Sequence, residues 1–545
     1  MTRYTLNCDI FKLTDIFKYE FFGLSLLGVV MLVKVLLLNP PWPGKGIGTR
    51  SQNRIIKQRA DMFVQYPLFM GYSSARLRKA GYEVGFIDAI VERLSFDETT
   101  NRVQKFDPDV ILVESVTPSI DYDIDYMKRL KGLVGAKIVF CGPHVTHFGG
   151  KSLEEYPVLD VVIKGDFDTR IVEVVENLED DDALSKIGGI AYRTCDGVVV
   201  DTGKAVFLDN LDDLPFPDRE TIPFNSYGEA WYNRRPFINM LTTRGCPYGC
   251  TFCISPHAME GLKWRQRSIS NVISEIREVV TKHGVKEINF DDPTFTIDPK
   301  RVVAFCRALR NNKLKIIWTC NGRVDNVVRH PQMLSEMRRA GCKMIRFGIE
   351  AGNPEVLKAI RKGLTLDQMR EGVHLTKKAG ILALCGFMFG FPTDSRETIE
   401  DTIAIAKELR PDLIQASIAM PYPGTVLYDE AVRDGKVIAK SWKEFDMTYG
   451  PVVQTKDMTR EYLEGILKRM YREFYFRPSF FVQTLFGIRR ISDVSRISRN
   501  FVTMVRTMLF YDAKGSEGRA NEEEIQSQPI EIQAIQAGLK REVEV

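Results

Sequence analysis

The chain has 545 residues, 44% of them hydrophobic and 27% charged, the composition of a soluble globular protein. Its length exceeds what one ordinary core serves, so two main domains with appendages are expected. A formal net charge of +4 is too small in a chain of this size to imply nucleic acid, although the average conceals a basic stretch near the C-terminus. The cysteines are scattered singly apart from one central trio, which fits a reducing cytoplasm rather than a disulfide framework.

From Phe21 to Val33 the chain is apolar, but the run is shorter than the ~20 residues of a spanning helix and Lys34 interrupts it. Asp9, Asp15 and Glu20 are interleaved with the preceding basic residues, unlike a secretory signal. Residues 1–30 are therefore read as an extension or weak anchor, with Met31 the better start. Over 31–180, strand-like runs (VKVLLLN, YEVGFID, DVILVES, AKIVFCG, LDVVIKG) alternate with helical stretches such as Gly71 to Ala80 and Ile124 to Lys131. This predicts a doubly wound α/β domain that binds ligands at the carboxyl ends of its strands. A hairpin turning at Asp196-Gly197 and a proline-rich stretch fill a linker over 181–235.

Over 236–440 the alternation resumes with a steadier period. Strands FINMLTT, KEINFD, KIIWTC, KMIRFGIE, LALCGFMFG and LIQASIAM alternate with helices from Ser268, Pro299, Pro331, Pro354, Leu366 and Ser395. Six such units make a partial (β/α)6 barrel, with reacting groups expected just after the strands. Polar, glycine and cysteine residues do accumulate at those strand ends.

The first strand is followed by Arg244-Gly245-Cys246-Pro247-Tyr248-Gly249-Cys250-Thr251-Phe252-Cys253. Thiolates in a short loop select zinc, copper(I) or iron–sulfur clusters. A four-iron cluster held by three of them keeps one iron open to a further ligand. A zinc reading stands beside it, because His257 completes a three-cysteine, one-histidine spacing.

The loop resembles that of the radical S-adenosylmethionine (SAM) enzymes, and the likeness extends through FDDPTFTIDPKR, WTCNGRVD, FGIEAGNPEVLKAIRKG and CGFMFGFPTDSRETIEDT. The resemblance implies that Cys246, Cys250 and Cys253 hold a 4Fe-4S cluster whose open iron chelates SAM, fed by an external electron donor. By position it places Phe252 against adenine and the strand end at Asp291 and Asp292 by the methionine amino group. Glu350 goes to the ribose hydroxyls or, alternatively, caps the helix from Pro354. Arg323 either holds the SAM carboxylate or pairs with Asp292 or Glu350, and the backbone from Gly386 to Gly390 borders adenine or packs as strand. No residue is singled out as catalytic.

The first domain resembles the cobalamin-binding domain found ahead of the barrel in a subgroup of these enzymes. No Asp-x-His-x-x-Gly loop supplies a lower ligand, and His144 and His147 are read as loop residues at the domain interface. Cobalamin is thus a possible cofactor. Residues 441–512 are read as a basic helical region: between Lys468 and Phe510, nine lysines and arginines face two acids among many aromatics, which suits a cytoplasmic membrane face. Residues 513–545 read as a disordered tail. MPYPGTVLYDEA followed by the basic, aromatic region of 441–512 is similar to radical SAM enzymes of membrane-lipid tailoring, so hydrogen abstraction from an unactivated lipid carbon and carbon–carbon bond formation are expected. Cobalamin-dependent methyl transfer is the second reading, and a non-catalytic zinc-binding module the third.

Overall fold

The computed structural model describes residues 33–42, 50, 63–229, 231–447, 451–455, 458–478 and 480. The expected N-terminal extension, the start at Met31 and the tail beyond 480 lie outside these residues. Among the described residues no helix is long and apolar enough to cross a membrane.

The first five apolar runs form β1 (Lys34–Asn39), β2 (Glu83–Asp88), β3 (Val110–Glu114), β4 (Lys137–Cys141) and β5 (Val161–Ile163). They pair in parallel in the order β2-β1-β3-β4-β5. Helices cover both faces, which is why β3 is buried at every position and reads as an uninterrupted apolar run. The hairpin placed in the linker belongs to this sheet. Its strands β6 (Ile190–Arg193) and β7 (Val199–Asp201) extend the sheet antiparallel from β5. They satisfy N–H and C=O groups that an open edge would leave unpaired.

The second sheet comprises β8 (Phe237–Met240), β9 (Glu287–Phe290), β10 (Ile317–Gly322), β11 (Cys342–Glu350), β12 (Leu382–Phe389) and β13 (Leu413–Ile418). All neighbours are parallel, and β8 and β13 are unjoined edges, so the barrel is partial. The helices between them start where local chemistry dictates. Ser268, Asp298, Asn353, Thr365 and Ser395 each accept a hydrogen bond from a backbone N–H of the first turn. Such caps are worth about 1 kcal/mol each.

The helix Arg460–Tyr475 covers the β13 edge with Leu463, Ile466, Leu467, Met470 and Phe474 buried beneath it. The Tyr475 and Tyr471 hydroxyls accept hydrogen bonds from the edge N–H groups of Ile414 and Ala416, at 3.1 and 3.0 Å. Arg469 pairs with Glu400 of the barrel and with Glu473 of its own helix. One continuous hydrophobic core runs through both domains.

Candidate active site

Just after β8, Thr243–Arg244 form a short antiparallel ribbon with Arg265–Gln266, and the chain turns at Gly245. Gly245 has φ +81°, and a Cβ there would lie 2.1 Å from the Lys263 carbonyl oxygen, so only glycine fits. Backbone bonds pin the loop on three sides: Cys246 N to Gly261 O at 3.1 Å, Thr251 N to Ile360 O at 3.1 Å, and Leu427 N to Thr251 O at 2.9 Å.

The three thiols of the loop are all free. Burial, then the neighbouring Cys250 and Cys246, push the Cys253 thiol up, and burial likewise raises Cys246. Cys246 and Cys253, whose ionisation is opposed by burial and by neighbouring thiols, suit a positively charged iron–sulfur core. Among the described residues no three His, Cys, Asp or Glu side chains converge as a single metal ion requires. Thiolates bound to different irons of a cluster stand farther apart than ligands of one ion. The His257 Nε2 lies 3.2 Å from the Cys250 carbonyl oxygen, a contact that occupies one ring nitrogen with backbone.

The other strand ends gather around this loop. Thr294 Oγ1 is 3.8 Å from Cys246 Sγ. Asp292 is fully buried, and its two oxygens accept from Thr242 N and Oγ1 at 2.6 and 2.5 Å, tying β9 to β8. Asp291 faces the barrel lumen, where Asn239 and Asn289 donate to it at 2.6 and 2.5 Å, and burial raises its pKa. The Phe252 ring packs 5.5 Å from that of Phe391, just past β12. Arg323 pairs with neither Asp292 nor Glu350. Its Nε donates to Asp325 at 3.0 Å, its Nη2 donates to the Lys362 carbonyl at 3.0 Å, and its guanidinium lies 3.8 Å over the Tyr248 ring.

Glu350 sits at the end of β11 with φ +69°, a left-handed conformation that non-glycine residues adopt at a cost of about 1–3 kcal/mol and that concentrates at functional sites. It does not cap the following helix; Asn353 does. Its carboxylate is 2.9 Å from Lys362 Nζ. A Cβ at Gly348 would lie 2.2 Å from Glu350 Oε1 and 2.9 Å from Lys362 Nζ, so glycine there makes room for the pair. Burial opposes the Lys362 charge, but Glu350 and Cys250 outweigh it and the pKa is raised. Lys362 was missed because it follows a loop twelve residues after Glu350, where an Arg-Lys-Gly run reads as an ordinary helix end. Gly386 pairs with Gly348 and Gln415 inside the sheet. Gly390 instead faces outward: with φ +85°, its Cβ would lie 2.8 Å from Leu463 of the covering helix.

The first domain meets the loop directly. Arg244 and Arg265 of the ribbon pair with Asp168 and Asp166, which follow β5, and all four side chains are fully buried. A cavity partly open to solvent lies at the carboxyl ends of β3, β4 and β5, lined by Phe69, Glu114, Gly142, Pro143, Gly165 and Phe167. Its opposite wall is Ala258 and Met259 of the π-helical turn Ser255–Met259, shortly after Cys253. Gly142 and Gly165 have φ +104° and +75°, and a Cβ would lie 2.3 Å from the Ser115 carbonyl oxygen at the first and 2.9 Å from the Ala205 Cβ at the second, so glycine there lets neighbouring segments close on the strand ends. Apolar Phe69, Phe167 and Met259 line it beside a single carboxylate, Glu114, and in that respect the residues suit one edge of a corrinoid. His144 and His147 are at the interface but on a helix, Pro143–Phe148, packed against Trp442 and Tyr428. Burial pushes them down to about 3 and about 4, so both are neutral.

Residues 240–406 match the Radical SAM superfamily and residues 63–175 match the B12 binding domain. The chain is 32% identical over 422 residues to "Uncharacterized methyltransferase PH0819" of Pyrococcus horikoshii, covering 77% of this chain and 90% of that protein. It is 30% identical to the anaerobic magnesium-protoporphyrin IX monomethyl ester cyclase of Cereibacter sphaeroides, covering 76% and 68%. The fold is shared with the cobalamin-dependent SAM radical enzyme OxsB in its aqua-cobalamin and SAM complex, at TM-score 0.63 and 17% identity over 94% of this chain and 80% of that one.

These likenesses overturn the expected lipid carbon–carbon bond formation. Other relatives carry the names cytidylyl-2-hydroxyethylphosphonate methyltransferase, bacteriochlorophyllide d C-12(1)-methyltransferase and hopanoid C-3 and C-2 methylase. Methyl transfer, the second reading, fits them better, and the corrinoid fold of the first domain supplies the physical reason. The zinc-binding module falls with it. Family membership implies a 4Fe-4S cluster and SAM, and the first domain implies cobalamin. The chain is thus an enzyme that belongs to the radical SAM superfamily, with a B12-binding domain ahead of its radical SAM domain.

Proposed function

We propose that this enzyme is a cobalamin-dependent radical SAM methyltransferase. One observation carries the reading: the cavity at the carboxyl ends of β3 to β5 shares a wall with the turn that follows Cys253, so a corrinoid and a cluster would face each other across it. When bound, the cluster and SAM supply a hydrogen-abstracting radical and the corrinoid supplies a methyl carrier.

The residues then divide the work. Cys246, Cys250 and Cys253 hold three irons. Lys362 offers its ammonium to the SAM carboxylate, and Glu350 accepts from the ribose hydroxyls while holding Lys362 in place. The strand end from Asp291 to Thr294 meets the methionine amino group, and Phe252 lies along adenine with Gly386 behind. Asp292 positions that strand end through Thr242 rather than by touching a cofactor. Arg323 braces the loop by covering Tyr248. The buried Arg244–Asp168 and Arg265–Asp166 pairs fix the separation of the two cofactor sites. An external one-electron donor completes the system.

The test is anaerobic purification with cluster reconstitution and added cobalamin. About four irons and four sulfides per chain are expected, with corrinoid retained through size exclusion. Cys250→Ala should lose iron and SAM cleavage while remaining folded. A gene deletion compared with its parent by mass spectrometry should accumulate a metabolite lacking one methyl group. Protein that retains no corrinoid, together with an unchanged metabolite profile, would sink the reading.

A further inference from the structure

The lumen of the barrel is lined by polar side chains from four successive strands. Asn239 comes from β8, Asn289 from β9 with Asp291 just beyond it, Thr319 from β10 and Arg346 from β11. Most of them satisfy one another. Asn239 and Asn289 donate to Asp291, and Thr319 Oγ1 donates to Asn289 Oδ1 at 2.6 Å.

Arg346 is the exception. Its Nη2 has only two long contacts, to Asp291 Oδ1 and to the Phe290 carbonyl, both at 3.5 Å. Its Nε is buried without a hydrogen-bond partner among the described residues, as are Trp231 Nε1 and Asn239 Oδ1. The Trp231 ring lies 5.0 Å from the Arg346 guanidinium. Asn239 is 1% exposed, yet the Arg346 and Asp291 side chains retain 12% and 22% of their exposure, so solvent-sized space reaches this point.

Buried donors of this kind are costly to leave unmade. Two of them, one a guanidinium fork, stand beside an acceptor, which describes a receptor for an oxyanion that carries a neighbouring O–H or N–H. We propose that Arg346, with Trp231 and Asn239, anchors an anionic oxygen group of the substrate, a carboxylate or a phosphoryl, inside the barrel. Arg346 is four residues before Glu350 on the same strand, so the anchored group would hold the rest of the substrate near the SAM site. The assignment deepens the methyltransferase reading by naming a substrate class. It uses that reading only in taking the barrel lumen as the place where substrate is held.

The test uses cluster-reconstituted full-length protein, titrated at constant ionic strength with inorganic phosphate in one arm and succinate in the other. Intrinsic tryptophan fluorescence is the readout, and Trp231→Phe shows which part of the signal comes from that indole. A saturable change is expected in at least one arm, and the preferred arm identifies phosphoryl or carboxylate. Arg346→Gln should weaken the response at least tenfold, and Arg346→Lys, which keeps the charge but loses the fork, at least threefold. SAM binding by equilibrium dialysis should be unchanged in both variants. No saturable response, or the same response in both variants, would overturn the proposal. So would a parallel loss of SAM binding, which would assign the arginine to SAM. None of these readouts requires methyl transfer or bound cobalamin, so failure of the anchor and failure of the proposed reaction are distinguishable.

Discussion

Arg244 and Asp168 face each other across the domain boundary as a two-point pair, Nη1 to Oδ1 at 3.0 Å and Nη2 to Oδ2 at 2.8 Å, with both side chains fully buried. Arg244 precedes the glycine on which the cysteine loop turns, and Asp168 follows β5, whose carboxyl end borders the cavity. The pair therefore ties the cysteine loop to the carboxyl end of the first sheet. Burying two charges is expensive, and removing Asp168 leaves Arg244 with only its longer contact to Asp166, at 3.5 Å.

Asp168→Ala should accordingly destabilise the protein by about 3–5 kcal/mol, measured by denaturant unfolding under anaerobic conditions. Iron retention should fall with it, because the ribbon that carries the loop is then tethered only through Asp166. A loss below about 1 kcal/mol, the scale of an exposed pair, would show that the boundary is held by apolar packing alone.

Lys362→Met keeps the aliphatic stem and removes the ammonium. SAM affinity should fall about tenfold or more, equivalent to about 1.4 kcal/mol, as read by equilibrium dialysis. Cluster content should be reduced far less than in Cys250→Ala. Unaltered SAM affinity would remove Lys362 from the SAM site.

Glu260 accepts from Gly245 N and from Ser255 Oγ, both at 3.2 Å, and burial raises its pKa to about 7 despite the lowering influence of Arg244. A carboxyl whose folded pKa is raised holds its proton in the folded state while the unfolded chain releases it. Its contribution to stability therefore declines as pH rises from the unfolded value near 4.5 to about 7. Glu260→Gln should abolish that part of the slope, so that wild type minus variant changes by roughly 3 kcal/mol across this window. Parallel stability curves for the two proteins would contradict the assignment.

Tyr471→Phe and Tyr475→Phe each remove the acceptor for an edge N–H of β13. A cost of about 1–3 kcal/mol is expected for leaving such a group unsatisfied. Faster amide hydrogen exchange should be confined to Ala416 in the first variant and to Ile414 in the second. Exchange rates equal to wild type would mean that the hydroxyls do not cap the strand.

Much of this was legible in the chain because it is local. All six barrel strands were placed by apolar runs bounded by turns, since a parallel strand buried on both faces needs no partner to announce it. Helix starts were readable from Ser268, Pro299 and Ser395, because capping residues and a first-turn proline act within a single turn. The cysteine loop was readable as a metal-ligand spacing, open to zinc or an iron–sulfur cluster until the family resemblance favoured the cluster.

Pairing across the fold was not. Arg323 meets Asp325 and Tyr248 rather than either expected acid, and Gly390 faces the covering helix rather than the site. The hairpin's place on the first sheet, the Glu350–Lys362 pair and the under-bonded Arg346 depend on which strands and loops become neighbours. The sequence by itself determined the elements and the metal-binding loop, because periodicity, capping and ligand spacing are properties of a few consecutive residues. Only the tertiary structure decided which charges meet and which remain available, because register and burial are set by residues as far apart as Arg244 and Asp168.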